Sequence, residues 1–228
     1  MENQLAAGRI VFREGSTESE STVKYDVTTY LPLVGKLQGG ASVKRFDAQY
    51  DTASPFGTDS PFFAVPDVNA FSLNDRIATY QIGGYVQATR ALSRRLSATA
   101  GGRFDRYQYL NASRVSPRVG LDYELTSRLS LRASYGRYAQ QPFLLFLSAY
   151  PENRSLAPFR ADHYVAGVTY APEASTRFTA EVYRKEYRDY PVSSQIPALS
   201  LANIGDTFAI RDVLFPMVSA GRGQATGI

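Results

Sequence analysis

Cysteine is absent from this 228-residue chain, so disulfides and thiolate metal sites are excluded and the redox compartment is left open. Tryptophan is absent as well, and histidine occurs once, at His163. A single imidazole nearly excludes His-based triads, dyads and zinc clusters. Lysine is scarce too: Lys24, Lys36, Lys44 and Lys185 are the only four among 25 basic residues. The arginines are scattered and the net charge is only +4, whereas a nucleic-acid surface needs a concentrated basic patch. No apolar run approaches the ~18 residues of a membrane helix, and mean hydropathy is −0.25. The N-terminus, MENQLAAGRIVF, has no charged n-region, apolar core or cleavage site, so no signal peptide is expected there. No P-loop, G-x-S-x-G or G-x-G-x-x-G pattern follows a strand-like segment.

What the chain does have is alternation. In Leu96–Asp105, Leu96, Ala98, Ala100, Gly102 and Phe104 share one face, against Ser97, Thr99, Gly101, Arg103 and Asp105. The next segment sets Val119, Leu121 and Tyr123 against Arg118, Gly120, Asp122 and Glu124. A third sets Leu129, Leu131, Ala133 and Tyr135 against Ser130, Arg132, Ser134 and Gly136. Successive strand residues point to opposite faces, so each segment has one apolar and one polar side. A soluble sandwich would bury the apolar side against a second sheet. A membrane barrel turns it to lipid and keeps the polar side in a wet lumen. Length favours the barrel, because soluble strands run about five or six residues while a bilayer crossing takes about 9–11.

The rhythm of connections agrees. Tight links are expected at LPLVG (Leu31–Gly35), Ser93-Arg94, Thr126-Ser127 and PEAST. Long ones are expected at Tyr50–Asp75, Ala139–Arg160 and Pro191–Arg222, with Asn111–Arg114 a brief member of that set. Short periplasmic turns alternating with long extracellular loops mark outer-membrane barrels. Leu5–Phe12 is a further candidate strand, Arg13–Ser21 reads as an exposed loop, and Gly223–Ile228 reads as the start of another strand. The fold expected is all-β: an antiparallel up-and-down transmembrane barrel, incomplete, with about nine or ten strands of a larger one.

The order of these segments carries a family resemblance. SPRVGLDYELTSRLSLRASYGRYAQQP (Ser116–Pro142) resembles the barrel of TonB-dependent outer-membrane receptors, as do GGRFD (Gly101–Asp105), Arg160–Pro191 and the closing GRGQATGI. The likeness is strongest over 77–228, and residues 1–228 are read as one partial barrel domain. The resemblance implies a Gram-negative outer-membrane receptor, not an enzyme, that imports a scarce ligand: a siderophore, cobalamin, glycan or peptide. It implies as partners the outer-membrane lipid, a small extracellular ligand, and the TonB system acting through a plug domain that this sequence does not contain. No cofactor or nucleic acid is implied. A plugless pore or adhesion-type barrel shares every strand feature and stands as the alternative.

Candidate site residues follow from that topology. The aromatics Phe62, Phe63 and Phe71 of one long loop, and Phe143, Phe146 and Tyr150 of the next, lie where an extracellular ligand arrives. They either contact ligand or pack the loops against each other. Asp122 and Glu124 form either a carboxylate pair or part of a lumenal charge ladder with Arg118 and Arg132. Asp67, Asn69 and Asp75 match no standard calcium loop, so no metal site is assigned.

Overall fold

Each strand pairs with its neighbours in sequence, and that rule builds the molecule. The computed structural model describes residues 2–4, 10–54, 71–195, 200–204 and 215–228. They form one antiparallel sheet of ten strands in sequential order. The strands are β1 (Glu2–Gln4), β2 (Ile10–Leu31), β3 (Gly35–Ser54), β4 (Phe71–Ala91), β5 (Leu96–Tyr107), β6 (Ala112–Glu124), β7 (Leu129–Gln140), β8 (Phe159–Glu173), β9 (Thr176–Ser193) and β10 (Met217–Gly227). Among the described residues β10 pairs only with β9 and β1 only with β2, so the sheet is open.

Register preserves the alternation read from the sequence. Ala98 faces Leu121, Leu121 faces Ala133, Ala133 faces Ala166 and Ala166 faces Val182. One step over, Ala100, Val119, Tyr135 and Tyr164 align in the same way. Because strand residues alternate with period 2, this in-phase pairing gathers the apolar residues of β2 to β9 on one face. That face is uncovered: Val23, Val43, Ile82, Val86, Val119, Leu121, Leu131 and Val182 are all exposed. Aromatics mark its two ends, Tyr80 and Phe104 toward the long loops and Tyr123, Tyr170 and Phe178 toward the short turns. From Phe104 to Leu96 the band covers eight residue steps. At about 3.3 Å per residue and a tilt near 40°, that is about 20 Å of height, close to the outward apolar band of outer-membrane barrels. No helix among the described residues is long and apolar enough to cross a membrane.

The tight turns owe their shape to short side chains. Ser93 Oγ accepts hydrogen bonds from the amides of Arg95 and Leu96, at 3.2 and 3.1 Å. Thr126 Oγ1 does the same for Arg128 and Leu129, at 3.2 and 3.0 Å. Both are the local side-chain mimicry that fixes turns. Gly35 closes the Leu31–Gly35 turn at φ 86°, and a Cβ there would run into the carbonyl oxygen of Thr89.

Several boundaries differ from those expected. Arg13–Ser21 is not a loop: it belongs to β2 and pairs residue by residue with Arg45–Ala53. The segment extends past the apolar band, where both faces are polar, so alternation could not reveal it. For the same reason Tyr50–Ser54 completes β3 and Phe71–Asp75 opens β4, leaving 55–70 between them. Of the strand expected at Leu5–Phe12, residues 5–9 lie outside the described residues; Ile10–Phe12 open β2, and Ile10, Phe12 and Arg13 are paired with Gln4, Asn3 and Glu2 of β1. The connection expected at Asn111–Arg114 falls at Gln108–Asn111, with Asn111 in the left-handed region at φ 49°. β10 begins at Met217 rather than Gly223, again on polar and small residues with weak patterning.

Candidate functional site

The buried core lies at the long-loop end of the polar face. There β3, β4 and β5 rise beyond the apolar band and carry Ala48, Tyr50, Leu73, Ile77 and Tyr107 on the side opposite the apolar face. The β7–β8 connection folds onto them. It contains the helix α1 (Leu144–Ala149) and a 3-10 turn (Pro151–Ser155). Leu144, Leu147 and Leu156 are buried against Leu110, Phe215 and Met217 in the same cluster, and Leu147 is 0% exposed. The PFLLFL run, too short to span a membrane, is therefore a cap over the polar face.

One asparagine fastens this cap. Asn153 is 0% exposed; its Nδ2 donates to the carbonyls of Phe146 (2.7 Å) and Phe215 (3.2 Å), and its Oδ1 accepts from the Met217 amide (2.7 Å). Three backbone groups from two connections and the start of β10 are thus satisfied by one buried side chain, as buried polar groups require. Ser219 Oγ accepts from the Ala157 amide at 2.9 Å, and the Tyr107 hydroxyl donates to the Ala139 carbonyl at 3.1 Å. Arg114 donates to the Pro158 carbonyl at 3.2 Å.

Beside the cap is a cavity of about 520 Å³ whose lining includes Glu18, Glu20, Lys44, Gln81, Gln140 and Phe143. Lys44 pairs with Glu20 at 2.7 Å, and Thr22 donates to the same carboxylate oxygen at 2.9 Å. Those two bonds hold Glu20 below its ordinary carboxylate pKa. The Tyr50 hydroxyl donates to Glu18; burial, reinforced by that bond, pushes its pKa far up, so it remains a neutral donor. The cavity lining thus combines three carboxylates, one ammonium, three side-chain amides and three aromatic rings. It can hold a small polar ligand by hydrogen bonds and stacking; among the described residues no cluster of His, Cys, Asp or Glu could hold a metal.

Of the expected aromatics, Phe143 and Phe146 come together, with ring centroids 6.5 Å apart. Phe143 is 64% exposed and lines the cavity, whereas Phe146 packs partly against the core. Tyr150 follows α1 and is half-buried, and burial raises its pKa. Phe62 and Phe63 lie outside the described residues, as do Asp67 and Asn69; Phe71 opens β4 opposite Ser54. Asp75 sits 3.9 Å from Arg154. Asp122 pairs at 2.7 Å with Arg132 directly across the hairpin, which makes it a rung of a charge ladder rather than half of a carboxylate dyad. His163 stacks on Tyr138 at 4.6 Å, and Arg118 lies over the same ring at 4.7 Å. Sequence reasoning missed Tyr50, Tyr107 and Asn153. The first two sit on polar strand extensions, and nothing in the local sequence distinguishes Asn153.

Comparison with known proteins places this arrangement. Residues 4–227 match the family model described as "TonB dependent receptor-like, beta-barrel". The fold is similar to that of the ferric enterobactin receptor of Pseudomonas aeruginosa solved with enterobactin (TM-score 0.66, 16% identity, 93% of this chain and 33% of that one). It is also similar to the siderophore receptor PirA of Acinetobacter baumannii (TM-score 0.57, 14% identity, 82% and 30%) and to the copper transporter OprC (TM-score 0.53, 14% identity, 79% and 32%). The chain therefore spans about a third of the length of these solved proteins. No curated protein matches it.

Proposed function

Since this chain belongs to the TonB-dependent receptor-like β-barrel family, whose members are outer-membrane receptors and transporters rather than enzymes, we propose that it forms the ligand-facing section of a receptor importing a small extracellular molecule. Its apolar face meets the outer-membrane lipid, and its polar face lines the lumen. The observation that supports ligand capture is the folded cap: α1 and the 3-10 turn are pinned by Asn153 beside a polar cavity, with Phe143 left exposed on its rim. A passive pore has no need of a fastened cap or an uncovered aromatic at its mouth. Uptake draws on the TonB system through a plug domain, so partner and energy source lie outside these residues. No bond is made or broken; the barrel binds and admits. Ferric siderophores head the ligand classes to test, because two of the similar structures are receptors for them.

The test is radioiron uptake by cells expressing the full-length gene product, using a panel of ferric siderophores with and without TonB. TonB-dependent uptake of at least one, weakened by Phe143→Ala, supports the proposal. Uptake that needs neither TonB nor Phe143 would show a passive pore.

A further inference from the structure

The apolar face is not uniform. Between β5 and β9 it sinks into a hollow of about 670 Å³, because Ala98, Ala100, Ala133 and Ala166 stand where neighbouring positions hold Val119, Leu121 and Val182. At its long-loop end this hollow is rimmed by Tyr135 and Tyr164, whose rings lie 5.1 Å apart, and by Arg184. Arg184 also lines a second hollow of about 270 Å³, farther along β9 toward the extracellular end, together with Glu186, Arg188, Arg222 and Gln224. Three guanidinium groups there face one carboxylate, an excess of two positive charges. Glu186 is shared, 2.8 Å from Arg184 and 3.4 Å from Arg188. Among the described residues Arg222 has no ion pair, and it is exposed.

An alanine-floored groove leading into a cationic cluster is an amphipathic surface. The groove lies at the depth of acyl chains and the arginines at the depth of headgroups. Guanidinium suits phosphate better than ammonium does, because its planar fork binds two oxygens at once. We propose that the outward surface of β5–β10 binds one lipid of the outer leaflet whose phosphate-bearing headgroup is net negative, with an acyl chain in the hollow and the phosphate on Arg184, Arg188 and Arg222. The site rests on the placement in the membrane and is independent of which ligand the receptor imports.

Native mass spectrometry of the full-length protein in detergent, titrated with phosphatidylglycerol or phosphatidylcholine of identical acyl chains, tests this directly. Basic residues near a lipid surface each contribute a few-fold, so the cluster gives a phosphatidylglycerol preference on the order of tenfold. Combined R184Q, R188Q and R222Q substitution removes the preference. A166F, which fills the hollow, weakens both lipids, and R90Q, an outward arginine at the opposite end of the band, changes nothing. R222Q alone disturbs no ion pair and gives a few-fold loss even if the triple variant fails to fold. Equal affinity for the two lipids, a preference undiminished by R222Q, or an A166F variant that binds normally overturns the proposal. So does loss of the preference in millimolar inorganic phosphate, since that outcome marks a simple anion site.

Discussion

Replacing Val119 by arginine isolates the role of the apolar face. Val119 lies on β6 between Ala100 and Tyr135, is 51% exposed, and stands four residues from Val115 and four from Tyr123. Four residues at about 3.3 Å each, tilted near 40°, put it about 10 Å from either edge of the band, at its midplane. A guanidinium there cannot easily snorkel to water. The expected loss is about 2–4 kcal/mol, the range for arginine on a barrel's lipid face at that depth. Gly120, the next residue, points to the polar face, and a Cβ there meets Ala133, Ser134 and Thr99 only at 3.9 Å. Gly120→Arg therefore fits and faces the wet lumen, with an expected loss under about 1 kcal/mol. The assay is urea unfolding of the full-length protein in lipid vesicles, followed by the heat-modifiable gel shift. Equal losses at the two adjacent positions would refute the assignment of faces.

Other expectations are more local. Asn153→Ala leaves three buried backbone groups without partners, which costs the cap about 2–4 kcal/mol. Limited trypsin digestion then cuts at the exposed Arg154 tens-fold faster or more; an unchanged rate would mean the cap is held by its apolar contacts alone. Phe143→Ala alters stability by less than about 0.5 kcal/mol, since the side chain is mostly exposed. It weakens ligand affinity on the order of tenfold if the ring is an anchor, as read by direct binding to the purified receptor; undiminished affinity would remove Phe143 from the site. A cysteine at Glu152 reacts with an impermeant maleimide on intact cells, while one at Ser127 reacts only after the outer membrane is permeabilised. Labelling of Ser127 from outside would invert the topology.

The part of the fold legible in the sequence is the part that carries the apolar band. Where one face must be apolar and the other wet, as in Leu96–Asp105 or Leu129–Gly136, period-2 alternation survives and gives strand, face and register together. Beyond the band that pressure disappears. Arg13–Ser21 is polar on both sides and reads as a loop, yet its backbone is paired along its full length with β3. The turns at Ser93 and Thr126 were readable because their geometry is local. The site was readable only in part. Long loops drew attention to Phe143 and Phe146, but the cavity wall comes from Glu18, Lys44, Gln81 and Gln140 on four different strands, which no local pattern links. Asn153 acts through Phe215 and Met217, more than sixty positions away, and so leaves no trace in its own neighbourhood.

The account turns on one sheet having one face in lipid and one in water, and β6 reports this most directly. Single spin labels from Arg118 to Tyr123, in the full-length protein reconstituted into bilayers, can be scored for collision with oxygen and with a water-soluble nickel chelate. Labels at 119, 121 and 123 should be the more accessible to oxygen, and labels at 118, 120 and 122 the more accessible to the chelate. Accessibility without that two-residue alternation, or with the two sets reversed, would contradict it.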